Sequence, residues 1–171
     1  QEQKRAFAVR NAISPELEHY RLSLTPSLLD KVHANVKAGY KQFGLFEINK
    51  IHLKDDKDCE GLPREYQTVA FVFACDGALP GAVYYRAKYF LDYLLNELGV
   101  PSKVTPALEP PKFEIGRQVY APFEPKRTGY VYAGESDFAG FVGEYRAAVT
   151  KNLKLPKVCA GFEIDIERLL Q

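Results

Sequence analysis

A short apolar segment in the first half of the chain sets the strongest limit on its fold. Residues 66–75 are rich in β-branched and aromatic side chains, and Val69-Ala-Phe-Val-Phe-Ala-Cys75 contains no polar residue. The run is far shorter than the roughly 20 apolar residues that a membrane-spanning helix needs. It predicts a central strand that is buried on both faces of a sheet, in a protein without a membrane span.

Two helices are predicted around this strand. Thr25-Pro26 indicates a helix start, because a capping hydroxyl precedes a proline whose missing N–H costs nothing at the first helical position. We expect this helix to cover 26–38 and to end at Gly39. A second helix is predicted over 82–98, where apolar side chains form one stripe before Gly99 stops it.

The remaining segments predict strands and loops. The charged stretch 54–60 is expected to be a loop, and the segment 101–125 holds six of the eleven prolines, so its strands must be short or interrupted. Hairpins outnumber regular βαβ alternation, which predicts an α+β fold with a mostly antiparallel sheet flanked by helices. The other predicted strands are 5–10, 43–53, 128–133, 137–143 and 157–164.

Charge and cysteine content limit the function classes. The net charge is +1, from 23 basic and 22 acidic residues, whereas free-standing nucleic-acid binders carry a clear basic excess. Three widely spaced cysteines without a secretory leader favour a reduced, cytoplasmic environment. The chain of 171 residues has no Met, so we expect one domain, residues 1–171, excised from a longer protein.

The sequence carries no pattern of an independent enzyme. It has no phosphate-binding glycine loop and no Gly-x-Ser-x-Gly elbow. His52 with Cys59 is the one candidate metal pair, and a solvated loop explains it better. Glu163 and Asp165 point to the same side of a predicted strand, but no cleft is identified beside them. We therefore predict no catalytic, cofactor-binding or metal-binding residue in this chain.

An aromatic row marks the second helix. Tyr85, Tyr89 and Tyr93 recur at four-residue spacing, with Arg86 and Lys88 between them. Such a mixture can stack on nucleotide bases and bind phosphates. It equally suits a helix flank that packs against another domain, because tyrosine has an apolar ring with a polar tip. Both interpretations remain open, with domain packing favoured.

Several short motifs follow one another along nearly the whole chain. They are Asn11-Ala-Ile-Ser-Pro-Glu-Leu17, Arg21-Leu-Ser-Leu-Thr-Pro-Ser-Leu-Leu29, Leu45-Phe-Glu-Ile48, Leu62-Pro-Arg-Glu65, Gly140-Phe-Val-Gly143 and Gly161-Phe-Glu-Ile-Asp165. In this order they resemble the catalytic-like domain of the bacterial phenylalanine–tRNA ligase beta subunit. Several motifs in the correct order are more specific than any one of them alone.

The resemblance implies a fold and an assembly. The family's domain is similar to the class II aminoacyl-tRNA synthetase catalytic fold, yet it is not itself catalytic. In that family the alpha subunit joins ATP, phenylalanine and tRNA, with Mg²⁺ neutralising phosphate charge, within a cytoplasmic (alpha-beta)2 heterotetramer. The resemblance therefore implies the alpha subunit and the remaining beta-subunit domains as partners, tRNA through the assembled complex, and no ATP or Mg²⁺ in this fragment.

The resemblance also suggests a contact surface. The helix 26–38 and the strand after it occupy the place of the class II dimerisation motif, so residues of this region are predicted to contact the alpha subunit. The alternative is that its apolar members face the domain's own core. A second function, a self-standing RNA-binding domain that uses the aromatic row, is kept as the alternative. The predicted contacts are Arg21, Leu28, Leu29, Val32, Asn35 and Val36.

Overall fold

Six strands and four helices make up the computed structural model, which describes residues 5–14, 18–112 and 114–170. Residues 15–17 of the first motif lie outside the described residues. In chain order the elements are α1 (Thr25–Lys37), β1 (Gln42–Lys57), β2 (Pro63–Cys75), α2 (Tyr84–Glu97), β3 (Ser102–Pro106), α3 (Glu114–Tyr120), β4 (Phe123–Ala133), β5 (Asp137–Tyr145), α4 (Ala147–Asn152) and β6 (Val158–Asp165).

The strands form one antiparallel sheet in the order β1-β2-β6-β5-β4-β3. Strands β1 and β2 form a hairpin, and β3 to β6 follow one another as a meander. The two units meet where β2 pairs with β6, from Thr68 opposite Asp165 to Cys75 opposite Val158. The predicted α+β fold with a mostly antiparallel sheet is confirmed.

Strand β2 is covered on both faces, as its apolar run predicts. Ala70, Val72 and Ala74 belong to the core under α1, whereas Val69 and Phe73 belong to the core under α2. Because successive side chains of a strand point to opposite faces, one continuous apolar run serves both cores. The sheet is therefore a central layer with helices on its two sides.

The two long helices bury their apolar stripes against different parts of the sheet. α1 lies on β1 and β2, and α2 lies over β2, β5 and β6. α2 buries Ala87, Leu91 and Leu95, and each such leucine contributes about 1.5–3 kcal/mol by leaving water. Gly99 then adopts φ +67, and its N–H bonds to Asn96 O at 3.0 Å to close the last turn. Among the described helices none is long and apolar enough to cross a membrane.

Three local predictions differ from the structure. The predicted strand 5–10 is reduced to one bridge between Ala8 and His19. The predicted loop 54–60 is partly strand, because Lys57 still pairs with Pro63 across the hairpin. The proline-rich segment contains the helix α3 as well as the short strand β3. Its prolines lie outside the helix, so they limit α3 without interrupting it.

Cysteine reactivity provides a test of this arrangement. Cys59 is exposed, whereas Cys75 and Cys159 are buried, and burial raises the pKa of the Cys159 thiol to about 12. Since the thiolate is the reactive form, iodoacetamide at about pH 8 should modify Cys59 alone in the folded chain. Mass spectrometry of peptides will locate the label, and denatured protein should take up three equivalents. Labelling of folded Cys159 at the rate of Cys59 would contradict the structure.

Candidate functional site

A carboxylate from the last strand caps the first turn of α1. Leu24 occupies the N-cap position and has no hydrogen-bonding side chain. Instead, Glu163 Oε1 accepts the Leu24 N–H at 2.9 Å, and Oε2 accepts the Thr25 N–H at 2.9 Å. Oε2 also accepts the hydroxyls of Thr25 at 2.6 Å and Ser23 at 2.8 Å. β6 thereby holds the start of α1, which lies on the neighbouring strands.

The surroundings of Glu163 make it a structural group. Burial raises its pKa above the ordinary value, while the hydrogen bonds from Thr25, Leu24 and Ser23 act in the opposite direction. The partial positive charge of the helix N-terminus also favours the carboxylate form. Asp165 lies on the same side of β6, as the spacing predicts. Because Glu163 already has four donors, these two acids are not arranged as a general acid and base.

The buried stripe of α1 is not available to a partner. Leu28, Leu29 and Val32 lie in the core beneath the helix, and Val32 has no exposed surface. These three residues were predicted to contact the alpha subunit, and the structure corrects that placement. The helix turns its apolar side toward β1 and β2, so the alternative of a domain-core role applies to them.

The other three predicted contacts lie nearer the surface. The Arg21 guanidinium pairs with the Glu47 carboxylate at 2.7 Å. The Asn35 side-chain amide donates to the Lys31 carbonyl at 2.9 Å, and Val36 is half-buried against the core. These groups all have contacts within the chain, and whether they also meet a partner stays a prediction.

The aromatic row of α2 lies on the solvent side of the helix. Tyr85, Tyr89 and Tyr93 are all exposed. The Lys88 ammonium between them binds both carboxylate oxygens of Asp92, at 2.6 and 2.8 Å. The row is therefore available for contact, but its lysine is already paired with an acid.

The row continues onto β1 as one apolar surface. Phe46 is the cross-strand neighbour of Phe71, so both side chains lie on the α2 side of the sheet. The ring centroid of Phe71 lies 4.8 Å from that of Phe90, and Phe90 lies 5.6 Å from Tyr89. We call this surface the aromatic patch. Its members are Phe46, Ile48, Tyr89, Phe90 and Tyr93.

Phe46 and Ile48 were missed as candidate contacts, although a signal was present. They are 71% and 55% exposed, and both belong to the sheet's outermost strand on this side. The segment 43–53 has apolar residues on both faces, which an edge strand needs only if both faces are covered. α2 lies over β2, β5 and β6, so this part of β1 remains open.

The candidate metal pair gains no support. His52 packs edge to face against Tyr20, with ring centroids 4.9 Å apart. Within the part of the chain that the structure describes, no three His, Cys, Asp or Glu side chains are grouped to hold a metal ion. The chemistry of this region is therefore that of a contact surface.

Comparison with known proteins decides the family. The model of the phenylalanyl tRNA synthetase beta chain CLM domain matches residues 1–166. The chain belongs to this family. The phenylalanine–tRNA ligase beta subunit of Bartonella henselae is 28% identical over 166 residues, which cover 93% of this chain and 20% of that subunit. The beta subunit of Thermotoga maritima is also 28% identical, over 95% of this chain and 19% of that subunit.

The fold comparison agrees with the CLM assignment. A pyrrolysyl tRNA synthetase of Desulfitobacterium hafniense superimposes with a TM-score of 0.65 at 15% identity, over 98% of this chain and 51% of that chain. At this identity the likeness concerns the fold, and it confirms the predicted synthetase-like architecture. The chain spans about a fifth of the length of the curated relatives it matches.

Removing the Glu163 carboxylate should destabilise the CLM domain. Glu163→Gln keeps the shape but replaces one acceptor oxygen by a donor that faces other donors. We expect a loss of about 3 kcal/mol in the free energy of unfolding, measured by urea titration. Glu167→Gln, an exposed carboxylate two turns of chain away from the cap, is the matched control and should change it by less than about 0.5 kcal/mol.

The same variant has a pH dependence of defined sign. Because the pKa of Glu163 is raised above its ordinary value of 4.5 by burial, its stabilising contribution is complete below that value. The contribution is lost as the pH rises through the raised pKa. The unfolding free energy of the wild type should therefore fall relative to that of Glu163→Gln as the pH rises from about 4.5. A difference that is constant with pH would contradict this assignment.

Proposed function

We propose that this CLM domain is a non-catalytic scaffold of a phenylalanine–tRNA ligase beta subunit. It holds the catalytic alpha subunit within an (alpha-beta)2 enzyme that attaches phenylalanine to tRNA, and ATP and Mg²⁺ act at the alpha subunit. Family membership supports the first part of this proposal. The aromatic patch beside the open edge strand carries the second part.

The edge strand supports a docking role. β1 has 16 residues and forms the outer strand of the sheet, beside β2. Long edge strands with apolar side chains are usually shortened, charged or covered in isolated domains, because they pair with other chains. Here Phe46 and Ile48 are exposed on such a strand. A partner that covers them can also pair with the strand's open backbone edge.

The charges around the patch favour a protein over RNA. Lys50 is paired with Glu65, and Lys88 is paired with Asp92. RNA binding depends on cations that can neutralise phosphates, and these two lysines already face carboxylates. Protein interfaces are enriched in aromatic side chains and depleted in charge at their centres, which describes this patch. The RNA-binding alternative therefore has less support.

Substitutions in the patch test the proposal in the full-length beta chain. Phe46→Lys and Ile48→Lys should each weaken association with the alpha subunit by about tenfold or more, because each places a charge in an apolar contact. Leu108→Lys is the matched control, since Leu108 is 66% exposed and lies outside the patch. Sedimentation of mixed alpha and beta chains measures the association, and thermal melting of the beta chain checks the fold.

The outcomes separate the possible partners. Loss of alpha association at unchanged beta-chain melting supports the proposal. Unchanged association with a lower melting temperature would mean that another beta-chain domain covers the patch, and it would overturn the proposal. If only the affinity of the assembled enzyme for tRNA falls, the patch contacts RNA, and the proposal is again wrong.

A further inference from the structure

A cleft opens on the face of the sheet opposite the aromatic patch. It has a volume of about 410 Å³, within the range of small-molecule sites. Its base consists of strand residues that are almost fully buried, among them Ile51, Thr68 and Phe141. Since β2, β5 and β6 all contribute to this base, the cleft is part of the rigid sheet.

One side of the cleft is apolar. α3 contributes Ile115 and Val119, and the start of β5 contributes Phe138. Phe138 packs edge to face on Phe141, with ring centroids 5.2 Å apart, so its ring is held in place. A compact apolar group is the ligand part that suits such a wall.

The other side of the cleft is acidic. Asp56, Glu163 and Asp165 line it together with the single cation Arg168. Glu163 is occupied by the four donors at the start of α1. Asp56 accepts the Tyr66 hydroxyl and lies 3.8 Å from the Arg64 guanidinium. The charges of these two carboxylates are therefore compensated within the chain.

Asp165 is compensated less well. Its Oδ1 accepts the Glu167 N–H at 2.9 Å, and its Oδ2 lies 4.0 Å from Arg168 Nε, which is long for an ion pair. The side chain is only 19% exposed, and burial raises its pKa above the ordinary value. A partly desolvated carboxylate with a distant partner attracts a second cation.

We propose that this cleft binds a small organic cation, namely a primary ammonium group attached to a compact apolar body. The ammonium pairs with the Asp165 carboxylate, and the apolar body packs on Ile115, Val119 and Phe138. The acidic side disfavours anions of the same shape. This inference goes beyond the scaffold role and concerns the opposite face of the sheet, so each can fail without the other.

Three probes of one shape test the charge preference. Benzylamine, benzyl alcohol and benzoate have the same ring and differ in the charge of the head group. By calorimetry on the full-length beta chain, we expect benzylamine to bind about tenfold more tightly than benzyl alcohol, with benzoate the weakest. Equal affinities for the three probes would overturn the proposal.

Variants then locate the site. Asp165→Asn should remove the preference for benzylamine over benzyl alcohol and leave the affinity for benzyl alcohol unchanged. Glu167→Gln removes a neighbouring exposed carboxylate that does not line the cleft, and it should retain the preference. Should Asp165→Asn fail to fold, Ile115→Trp is the second variant, because it fills the cleft and should weaken both ligands. Benzylamine binding that survives these changes would place the ligand elsewhere and contradict the proposal.

Discussion

The bond between the Glu163 carboxylate and the start of α1 joins two parts of the chain that are otherwise separate units. α1, β1 and β2 form one unit, and β3 to β6 form the other. These units meet where β2 pairs with β6, and Glu163 reaches across this junction to Ser23, Leu24 and Thr25. By fixing the first turn of α1, the carboxylate fixes which side of the helix faces the sheet, and hence which residues form the core.

Local signals predicted the elements, whereas long-range ones were missed. The apolar run 69–75 identified β2, and Thr25-Pro26 identified the start of α1, because each depends on a few neighbouring residues. The cap on α1 could not be predicted, since Glu163 lies 138 residues after Thr25 and their proximity depends on strand order. α3 was missed because prolines nearby suggested interrupted strands, although they lie outside the helix.

The candidate interface shows a second limit of sequence patterns. An amphipathic helix such as α1 shows that one side is covered, but the pattern is the same for a core and for a partner surface. Topology decides between them: α1 lies on the sheet, so Leu29 and Val32 are internal. Topology also leaves Phe46 open, because α2 lies over β2, β5 and β6 and not over the edge strand. The exposed tyrosines of α2 were correctly singled out, since their spacing alone separates them from the buried stripe.

The junction between β2 and β6 has a consequence for how the chain can be divided. Each unit is built from neighbours in sequence, and the only links between them are this strand pair, the Glu163 cap and the packing of α2 across the junction. The turn between β2 and α2, at residues 76–83, is therefore a natural point of separation. Cut there, the chain yields two fragments with complementary edges, and we expect them to recombine, as split proteins do, without a peptide link.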